Sequence, residues 1–198
     1  MRYGKEHKTE SRARIVSSAA QQIRANGPDK VAVADLMASA GLTHGGFYAH
    51  FTSKDALVAE AVDAMFIDAQ RQTQAIGDAL ANPAGDIRVA FRAYLESYLS
   101  PRHRDGAERG CPLPSLAADM ARGVGAANAR FASGLKRLTS RIEAALERLH
   151  VAEAGAEANA LVAQMVGAVA LARAIGTGEQ SDAMLRDTLT ILVARYGL

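Results

Sequence analysis

Residues 32–57 read AVADLMASAGLTHGGFYAHFTSKDAL, and this stretch decides the fold of the N-terminal part of the chain. Apolar residues recur at helical spacing from Val33 to Ala40, which predicts a short helix with one apolar face. Gly41 follows and supplies the backbone freedom that a sharp turn between two helices needs. The stretch therefore predicts a short helix followed by a tight turn.

A second short helix is predicted directly after the turn. Thr43 is a suitable N-cap for a helix that runs from His44 to about Phe51. Phe47 and Phe51 are four residues apart, so we expect both rings to face inward. The remaining side chains are expected to face outward, namely those of His44, Gly45, Tyr48 and Ala49.

A third helix is predicted to begin at residues 52–55, whose sequence Thr-Ser-Lys-Asp is a capping signature. Two short helices around a tight turn are typical of a helix-turn-helix unit.

Residues 40–57, AGLTHGGFYAHFTSKDAL, closely resemble the DNA-binding domain of TetR/AcrR-family transcriptional regulators. The family pattern is roughly A-G-[VL]-[ST]-x-G-x-[LF]-Y-x-[HY]-F-x-[ST]-K-[ED]-x-L. The resemblance extends weakly backward to residues 14–16 and 19–20, which correspond to the first helix of the family. Towards the C-terminus it extends only as helical architecture.

Two positions depart from the family pattern. Ala32 stands where the family usually has Ser or Thr, which caps the second helix and contacts a DNA phosphate. Losing that cap costs about 1 kcal/mol. Ile23 replaces a usual Phe, and we interpret this as a change within the core.

The resemblance implies an all-α fold with two domains and about nine helices. The N-terminal three-helix DNA-binding domain is expected over residues 1–52, with a flexible arm at 1–9. A C-terminal effector-binding and dimerisation domain is expected over residues 53–198. Periodicity and breakers predict the remaining helices at Thr9–Asn26, Ser53–Leu80, Asp86–Leu99, Ala126–His150, Ala156–Ile175 and Asp182–Tyr196, with a charged loop at 100–110. A further short helix is predicted to follow residues 111–114 and to reach about Arg122.

Composition agrees with an all-helical protein that acts on nucleic acid. The chain of 198 residues is rich in alanine, has no Trp, and shows no run of alternating β-branched residues. Residues 1–57 hold eight Lys/Arg against five Asp/Glu, whereas residues 58–198 hold fifteen against sixteen. The basic excess therefore lies with the helix-turn-helix, where DNA binding needs it.

Several features predict a cytoplasmic protein without a membrane segment. One cysteine excludes an intrachain disulfide framework and fits a reducing compartment. The N-terminus is polar, so we expect no signal peptide. The most apolar stretch, Ala160–Ala172, spans 13 residues, which is too short to cross a bilayer. We expect no metal and no cofactor.

The outward residues of the motif are the candidate DNA contacts. The glycine pair 45–46 either lets the recognition helix approach DNA closely or merely weakens the helix start. By resemblance Tyr48 binds a backbone phosphate, and Lys54 lies at a helix N-terminus that attracts anions. His44 is either a base or phosphate reader or a solvated histidine. The candidate DNA-binding residues are Thr43, His44, Gly45, Gly46, Tyr48, Ala49, His50 and Lys54.

An effector pocket is implied by resemblance among the helices of the C-terminal domain, although each of its candidate residues could equally be core. No buried carboxylate or arginine pattern occurs in the two helices after the motif, which indicates a largely apolar ligand. The candidate lining residues are Met65, Phe66, Phe91, Tyr94, Tyr98, Cys111, Leu116, Met120, Phe131 and Met165.

The last two helices are expected to supply a homodimeric four-helix interface, since the resemblance places it there. One face of each helix would serve the core and the other the partner. The candidate interface residues are Leu161, Met165, Val169, Leu185, Leu189 and Leu192.

The leading functional hypothesis is a repressor that binds a palindromic operator as a homodimer and is released by a small molecule. An activator is not excluded. A second hypothesis is a thiol sensor, in which Cys111 near a helix N-terminus and the arginines of residues 102–109 has a stabilised thiolate. A third is an enzyme with Cys111 as nucleophile and His103 or His150 as base, for which no local signature exists.

Overall fold

A computed structural model describes residues 2–123 and 125–198, with side chains described from residue 7 onward. It confirms the all-α fold class. The ten α-helices of the described residues are α1 (Arg2–Asn26), α2 (Val33–Ser39), α3 (Lys54–Gln70), α4 (Gln74–Ala81), α5 (Ile87–Tyr98), α6 (Pro101–Asp105), α7 (Pro112–Arg122), α8 (Ala126–Arg148), α9 (Ala154–Ala174) and α10 (Glu179–Tyr196). Short 3₁₀ helices lie at His44–Ala49, Arg71–Thr73 and Ala107–Arg109.

The N-terminal helices pack around a small apolar core. Ile15 and Ile23 of α1 are buried together with Met37 of α2 and with Phe47 and Phe51. This confirms that the two phenylalanines face inward. Gly41 has a φ of +72°, a left-handed conformation that favours glycine, so the turn after α2 is made where the sequence predicts it.

Helix α1 begins earlier than predicted. The arm expected to be flexible over residues 1–9 is helical from Arg2, and Met1 lies outside the described residues. The segment contains no proline, and Lys and Glu are good helix formers, so the backbone continues the helix of residues 9–26 towards the N-terminus.

The predicted α-helix at 44–51 is instead a 3₁₀ helix over His44–Ala49. The amide of Gly46 bonds the Thr43 carbonyl, and that of His50 bonds the Phe47 carbonyl, at 3.0 and 2.9 Å. Both bonds span three residues rather than four. Two consecutive glycines weaken the α-helical alternative, and the segment is too short to compensate.

Helix caps account for the start of α3 and α5. The Ser53 hydroxyl accepts a hydrogen bond from the Ala56 amide at 3.1 Å, which confirms the capping signature at 52–55. The Asp86 carboxylate accepts from the amides of Arg88 and Val89. Each cap satisfies amides that have no partner inside the helix.

Two predicted boundaries change inside the C-terminal part. The single helix expected at 53–80 is interrupted by the 3₁₀ turn Arg71–Thr73, which separates α3 from α4. The segment 100–110, expected to be a loop, forms α6 and a 3₁₀ turn. Ser100 caps α6 by accepting from the His103 amide at 3.2 Å, and Pro101 stands in the first turn, where its missing amide costs nothing.

Helix α3 lies at the centre of the molecule, packed against α1 on one side and α8 on the other. Helix α9 packs between α8 and α10. Among the described residues, α9 is the one helix long and apolar enough to cross a membrane, by length and composition. Its Leu161, Met165 and Val169 are buried in the chain's own core, as in the core helix of a globular protein.

The packing of α3 against α8 generates a stability prediction. A Cβ atom at Gly134 of α8 would overlap the Phe66 ring of α3. We expect Gly134→Ala to lower the free energy of unfolding by about 1–2 kcal/mol, because overpacking outweighs the gain in helix propensity. Urea unfolding followed by circular dichroism measures the change.

Gly77→Ala is the matched control. It also lies inside a helix, but its Cβ would meet the Arg141 Cζ atom at 3.8 Å, an ordinary contact. This variant should be as stable as the wild type or more stable by up to about 1 kcal/mol. A Gly134→Ala protein at least as stable as Gly77→Ala would contradict the packing argument.

Candidate functional site

The 3₁₀ helix His44–Ala49 presents a polar outer face on a buried aromatic base. Phe47 is buried beneath it, whereas the neighbouring Tyr48 side chain is 74% exposed and meets the Phe47 ring edge-on at 5.3 Å. Thr43, His44, Gly45 and Ala49 are also exposed. Thr43 occupies the N-cap position with extended backbone angles, but its side chain makes no capping hydrogen bond.

An arginine holds this element against the rest of the chain. The Arg12 guanidinium lies 4.5 Å from the centroid of the Phe51 ring, which in turn stacks on Phe47 at 5.5 Å. The same guanidinium forms a two-pronged ion pair with Glu60 of α3, which raises the pKa of Arg12. The 3₁₀ helix is therefore fixed to both α1 and α3.

The two glycines of the motif face different environments. A Cβ atom at Gly45 would meet nothing within 4 Å. At Gly46 it would meet the Met37 Cε atom at 3.5 Å and the Thr43 Oγ1 atom at 3.8 Å. Gly45 therefore faces solvent, whereas Gly46 is half-buried and faces α2.

His50 and Lys54 are half-buried at the two sides of the turn before α3. The Lys54 ammonium donates to the Asp29 carbonyl at 3.4 Å and stands in the first turn of α3. Burial, reinforced by Lys8 and Arg12, lowers the pKa of His50, and its buried Nδ1 atom has no hydrogen-bond partner. Ala32 leaves α2 without a side-chain cap, as expected from its sequence.

A cavity of about 560 Å³ opens between α3, α5 and α8. Four predicted pocket residues line it: Phe66, Tyr94, Tyr98 and Cys111. The other six predicted residues do not line this cavity. Met65, Phe91, Leu116, Met120 and Met165 are core residues outside the cavity wall, and Phe131 lines a separate cavity of about 230 Å³. Their apolar character predicted burial, which is common to core and pocket.

Polar residues of the cavity wall were missed by the sequence analysis. They come from the end of α3, the 3₁₀ turn after it and one face of α8, namely Gln70, Gln72, Thr73, Ser133, Lys136, Arg137, Ser140 and Arg141. The α8 residues recur at spacings of three and four, which marks a single helix face. That signal was present in the sequence, but it is also typical of a solvated face.

Cys111 lies at the buried inner end of the cavity, beside Tyr98. Burial raises the pKa of its thiol, and hydrogen bonds with the Leu113 backbone and the Tyr98 side chain, with smaller contributions from Arg173 and Arg24, only partly oppose this effect. Burial also raises the pKa of Tyr98, whose hydroxyl lies beside the Cys111 thiol. Desolvation of a charged sulfur outweighs the attraction of the arginines, which disfavours the stabilised thiolate of the thiol-sensor hypothesis.

The arginines of residues 102–109 do not face the thiol as predicted. Arg104 is buried and donates to Ser181 at 2.7 Å and to Asp182 at 2.5 Å, which ties α6 to α10. Arg109 is exposed and pairs with Glu108 at 3.6 Å.

His103 has no lone pair available to act as a base for the thiol. Its Nδ1–H donates to the Tyr98 carbonyl at 2.7 Å, and its Nε2 accepts from the Cys111 amide at 3.0 Å. His150 is exposed at the end of α8, whereas Cys111 is buried. The arrangement offers no Cys–His pair of the kind that nucleophilic catalysis needs.

The predicted dimer residues belong mainly to the core. Leu161, Met165, Val169, Leu185 and Leu192 are buried within the chain, and Leu189 is half-buried. A buried side chain offers little surface to a partner, so these five are less suited to an interface than exposed residues of the same helices, and the predicted interface stays a prediction. The exposed large apolar residues of this region are Leu171 of α9, Ile175 directly after α9, and Ile191 of α10.

Comparison with known proteins agrees with this architecture. Residues 15–61 match the family described as "Bacterial regulatory proteins, tetR family". No curated protein matches the chain in sequence.

Three solved structures are similar over nearly the whole chain. A TetR transcriptional regulator from Chloroflexus aurantiacus J-10-FL shares 24% identity with a TM-score of 0.80, over 97% of this chain and 96% of its own. A TetR-family regulator from Agrobacterium tumefaciens shares 20% identity at a TM-score of 0.79, covering 95% and 98%. The reduced form of NemR from E. coli shares 20% identity at a TM-score of 0.78, covering 93% and 97%.

Residues 15–61 therefore contain a helix-turn-helix that matches the tetR family of bacterial regulatory proteins. The chain as a whole shares the all-helical fold of solved TetR regulators.

Proposed function

We propose that the protein is a repressor that binds an inverted-repeat operator as a homodimer and is released when a small molecule fills the cavity beside α3. The position of helix α3 supports this proposal. Helix α3 begins at Lys54 beside the recognition element and ends at Gln70 in the cavity wall. A single rigid element therefore joins the two sites.

The length of α3 makes it an effective lever. Its 17 residues span about 25 Å. Gln70 and Thr73, on either side of the end of α3, both line the cavity, and the 3₁₀ turn Arg71–Thr73 interrupts the helix there. A ligand that moves this turn would tilt α3 and displace the recognition element at its other end.

Arg24 provides a second link between α1 and the effector domain. Its guanidinium donates to the Met65 carbonyl of α3 at 3.1 Å and to the Glu108 carbonyl at 3.2 Å. Glu108 stands three residues before Cys111 of the cavity. A ligand that binds the DNA-incompetent arrangement better would shift the population towards it and lower operator affinity.

The exposed face of the recognition element is the proposed DNA surface. Tyr48 would bond a backbone phosphate, and Lys54 would attract another at the N-terminus of α3. His44 and Ala49 would face the major groove, and Gly45 would allow close approach of the backbone. We place the protein in the cytoplasm, where its DNA lies and where Cys111 stays reduced.

The two glycines provide a matched test of this surface. We expect Gly45→Ala to weaken operator binding at least about tenfold, because its Cβ projects into the space assigned to DNA. The Cβ atom of Gly46→Ala points towards Met37, so this variant should bind the operator with an affinity within about threefold of that of the wild type. An operator duplex selected from a random library and fluorescence anisotropy provide the measurement.

Circular dichroism of both variants controls for folding. Helix propensity favours alanine at either position, so neither variant should be less helical than the wild type. Equal operator affinity of Gly45→Ala and the wild type would remove the 3₁₀ helix from the DNA interface.

The homodimer is proposed to form through the outer α9–α10 face, which we define by Leu171, Ile175 and Ile191. An inverted repeat requires a two-fold dimer. These side chains are exposed on the two C-terminal helices, whose inner faces already serve the core. The interface is thus assigned to the opposite side of the helices from the predicted leucines.

A charge at this face should separate the subunits without unfolding them. We expect Ile191→Glu, at a side chain 53% exposed in the single chain, to yield folded monomers, because the interface would bury an unpaired carboxylate. Ile67→Glu, at a position 59% exposed on α3, should remain dimeric. Sedimentation velocity distinguishes the two, and a dimeric Ile191→Glu protein would place the interface elsewhere.

A thiol-sensing repressor is the second candidate, since Cys111 lines the same cavity. The similar NemR structure is described as a reduced form. With its pKa raised by burial, Cys111 is mostly neutral thiol at physiological pH, which favours an electrophile that first occupies the cavity over a dissolved oxidant.

N-ethylmaleimide and hydrogen peroxide test this mode. We expect N-ethylmaleimide to release the wild type from its operator, with hydrogen peroxide acting more slowly, while Cys111→Ser stays bound and recognises the same site. Gel shift after treatment gives the bound fraction, and mass spectrometry reports modification. Equal release of both proteins, or a native Cys111 that stays unmodified, would leave the thiol with a packing role alone.

A further inference from the structure

We propose that the cavity beside α3 takes an amphipathic organic anion, with an apolar body on the inner wall and a carboxylate or similar oxyanion at the mouth. This inference rests on the proposed function only in treating the ligand as the effector. It departs from the apolar ligand that the sequence favours.

The inner wall of the cavity is apolar and uncharged. Phe66, Tyr94, Tyr98 and Cys111 line it and are all buried. Burial raises the pKa of both tyrosines and of the thiol. None of these groups carries a charge at neutral pH, so this wall favours rings or methylene groups of a ligand.

The mouth carries three cations and no acid. Lys136, Arg137 and Arg141 line it from one face of α8, and no Asp or Glu stands among the lining residues. In the described part of the chain, none of the three forms an ion pair with a carboxylate. Arg130 of the same helix, outside the cavity, pairs with Asp63 at 2.8 Å.

One of the three cations is already oriented at the mouth. The Arg141 Nη1 atom donates to the Thr73 hydroxyl at 2.8 Å across the opening. The neutral amides of Gln70 and Gln72 complete this wall and add hydrogen-bond donors. An oxyanion between α8 and the turn at 71–73 would receive charge-assisted hydrogen bonds from both walls.

The size and position of the cavity agree with this ligand class. A volume of about 560 Å³ fits a molecule of two or three rings or a medium acyl chain. The anionic group would lie against the 3₁₀ turn Arg71–Thr73, where α3 ends. The charge of the ligand, rather than its apolar body, would therefore act on the end of α3.

A pair of fluorescent probes that differ in one group tests the inference. 1-Anilinonaphthalene-8-sulfonate carries a sulfonate, and N-phenyl-1-naphthylamine is the same ring system without it. We expect the sulfonate probe to bind the full-length protein at least about tenfold more tightly, with an affinity that falls as NaCl is raised. The neutral probe should bind with little dependence on salt.

Charge-removing variants locate the effect. Arg137→Gln should lower the affinity for the sulfonate probe about fivefold, and the double variant Arg137→Gln/Arg141→Gln should lower it at least about thirtyfold. Both variants should bind the neutral probe within about twofold of the wild-type affinity. Arg137 is exposed and makes no hydrogen bond to another described side chain, so the single variant keeps the fold. Arg130→Gln is the control on the same helix and should leave both probes unchanged.

Equal affinity for the two probes, or an affinity for the sulfonate probe that Arg137→Gln does not change, would overturn the inference. These measurements contain no DNA, so they are independent of operator release. A sulfonate probe that binds as expected but leaves operator occupancy unchanged would contradict the effector-release proposal and support the anion site alone. Operator release by a neutral probe that binds more tightly would support effector release and overturn the anion site.

Discussion

A buried cation at the junction of α1 and α3 is the constraint on which the arrangement of the molecule depends. The Arg24 side chain is almost fully buried, and it donates to the carbonyls of Met65 and Glu108 and pairs with Asp68 at 3.4 Å. Burial lowers the pKa of Arg24, and Asp68 partly restores it. Removing this group would break its hydrogen bonds to both carbonyls, and a hydrogen bond from a charged group contributes about 1.5–3 kcal/mol, so the DNA-binding helices are held at one position on the C-terminal helices.

Different parts of the molecule hold the two halves of helix α3. Arg12 ties the recognition element to Glu60 in the first half of α3, and Arg24 holds the Met65 carbonyl in the second half. The bulky Phe66 ring then packs where Gly134 leaves room on α8. Each half of the helix is therefore held by a different part of the molecule, and a displacement at one end is resisted or transmitted rather than absorbed.

The parts of the structure that local signals determine could be predicted from the sequence. The turn at Gly41, the cap at Ser53 and the buried pair Phe47 and Phe51 depend on neighbouring residues. The faces of α9 could not be predicted, because Leu161 and Leu171 are equally apolar and only the packing of α8 and α10 decides which is buried. The polar cavity wall on α8 was missed for a similar reason, since spacing alone does not distinguish a solvated face from one over a cavity.

The imidazole of His103 makes the cavity domain sensitive to acid. The Nε2 atom accepts a hydrogen bond from the Cys111 amide, so a proton on Nε2 would place two N–H donors against each other. Burial lowers the pKa of His103 from an ordinary 6.5 to about 4. As the pH falls, His103 is therefore protonated in the unfolded chain before it is protonated in the folded one. The contribution of His103 to the free energy of unfolding is complete above pH 6.5 and is lost as the pH falls towards 4. The full effect is on the order of 3 kcal/mol. In a mildly acidic cell the segment that carries Cys111 would loosen before the helix-turn-helix, whose His50 also has a lowered pKa but is only half-buried.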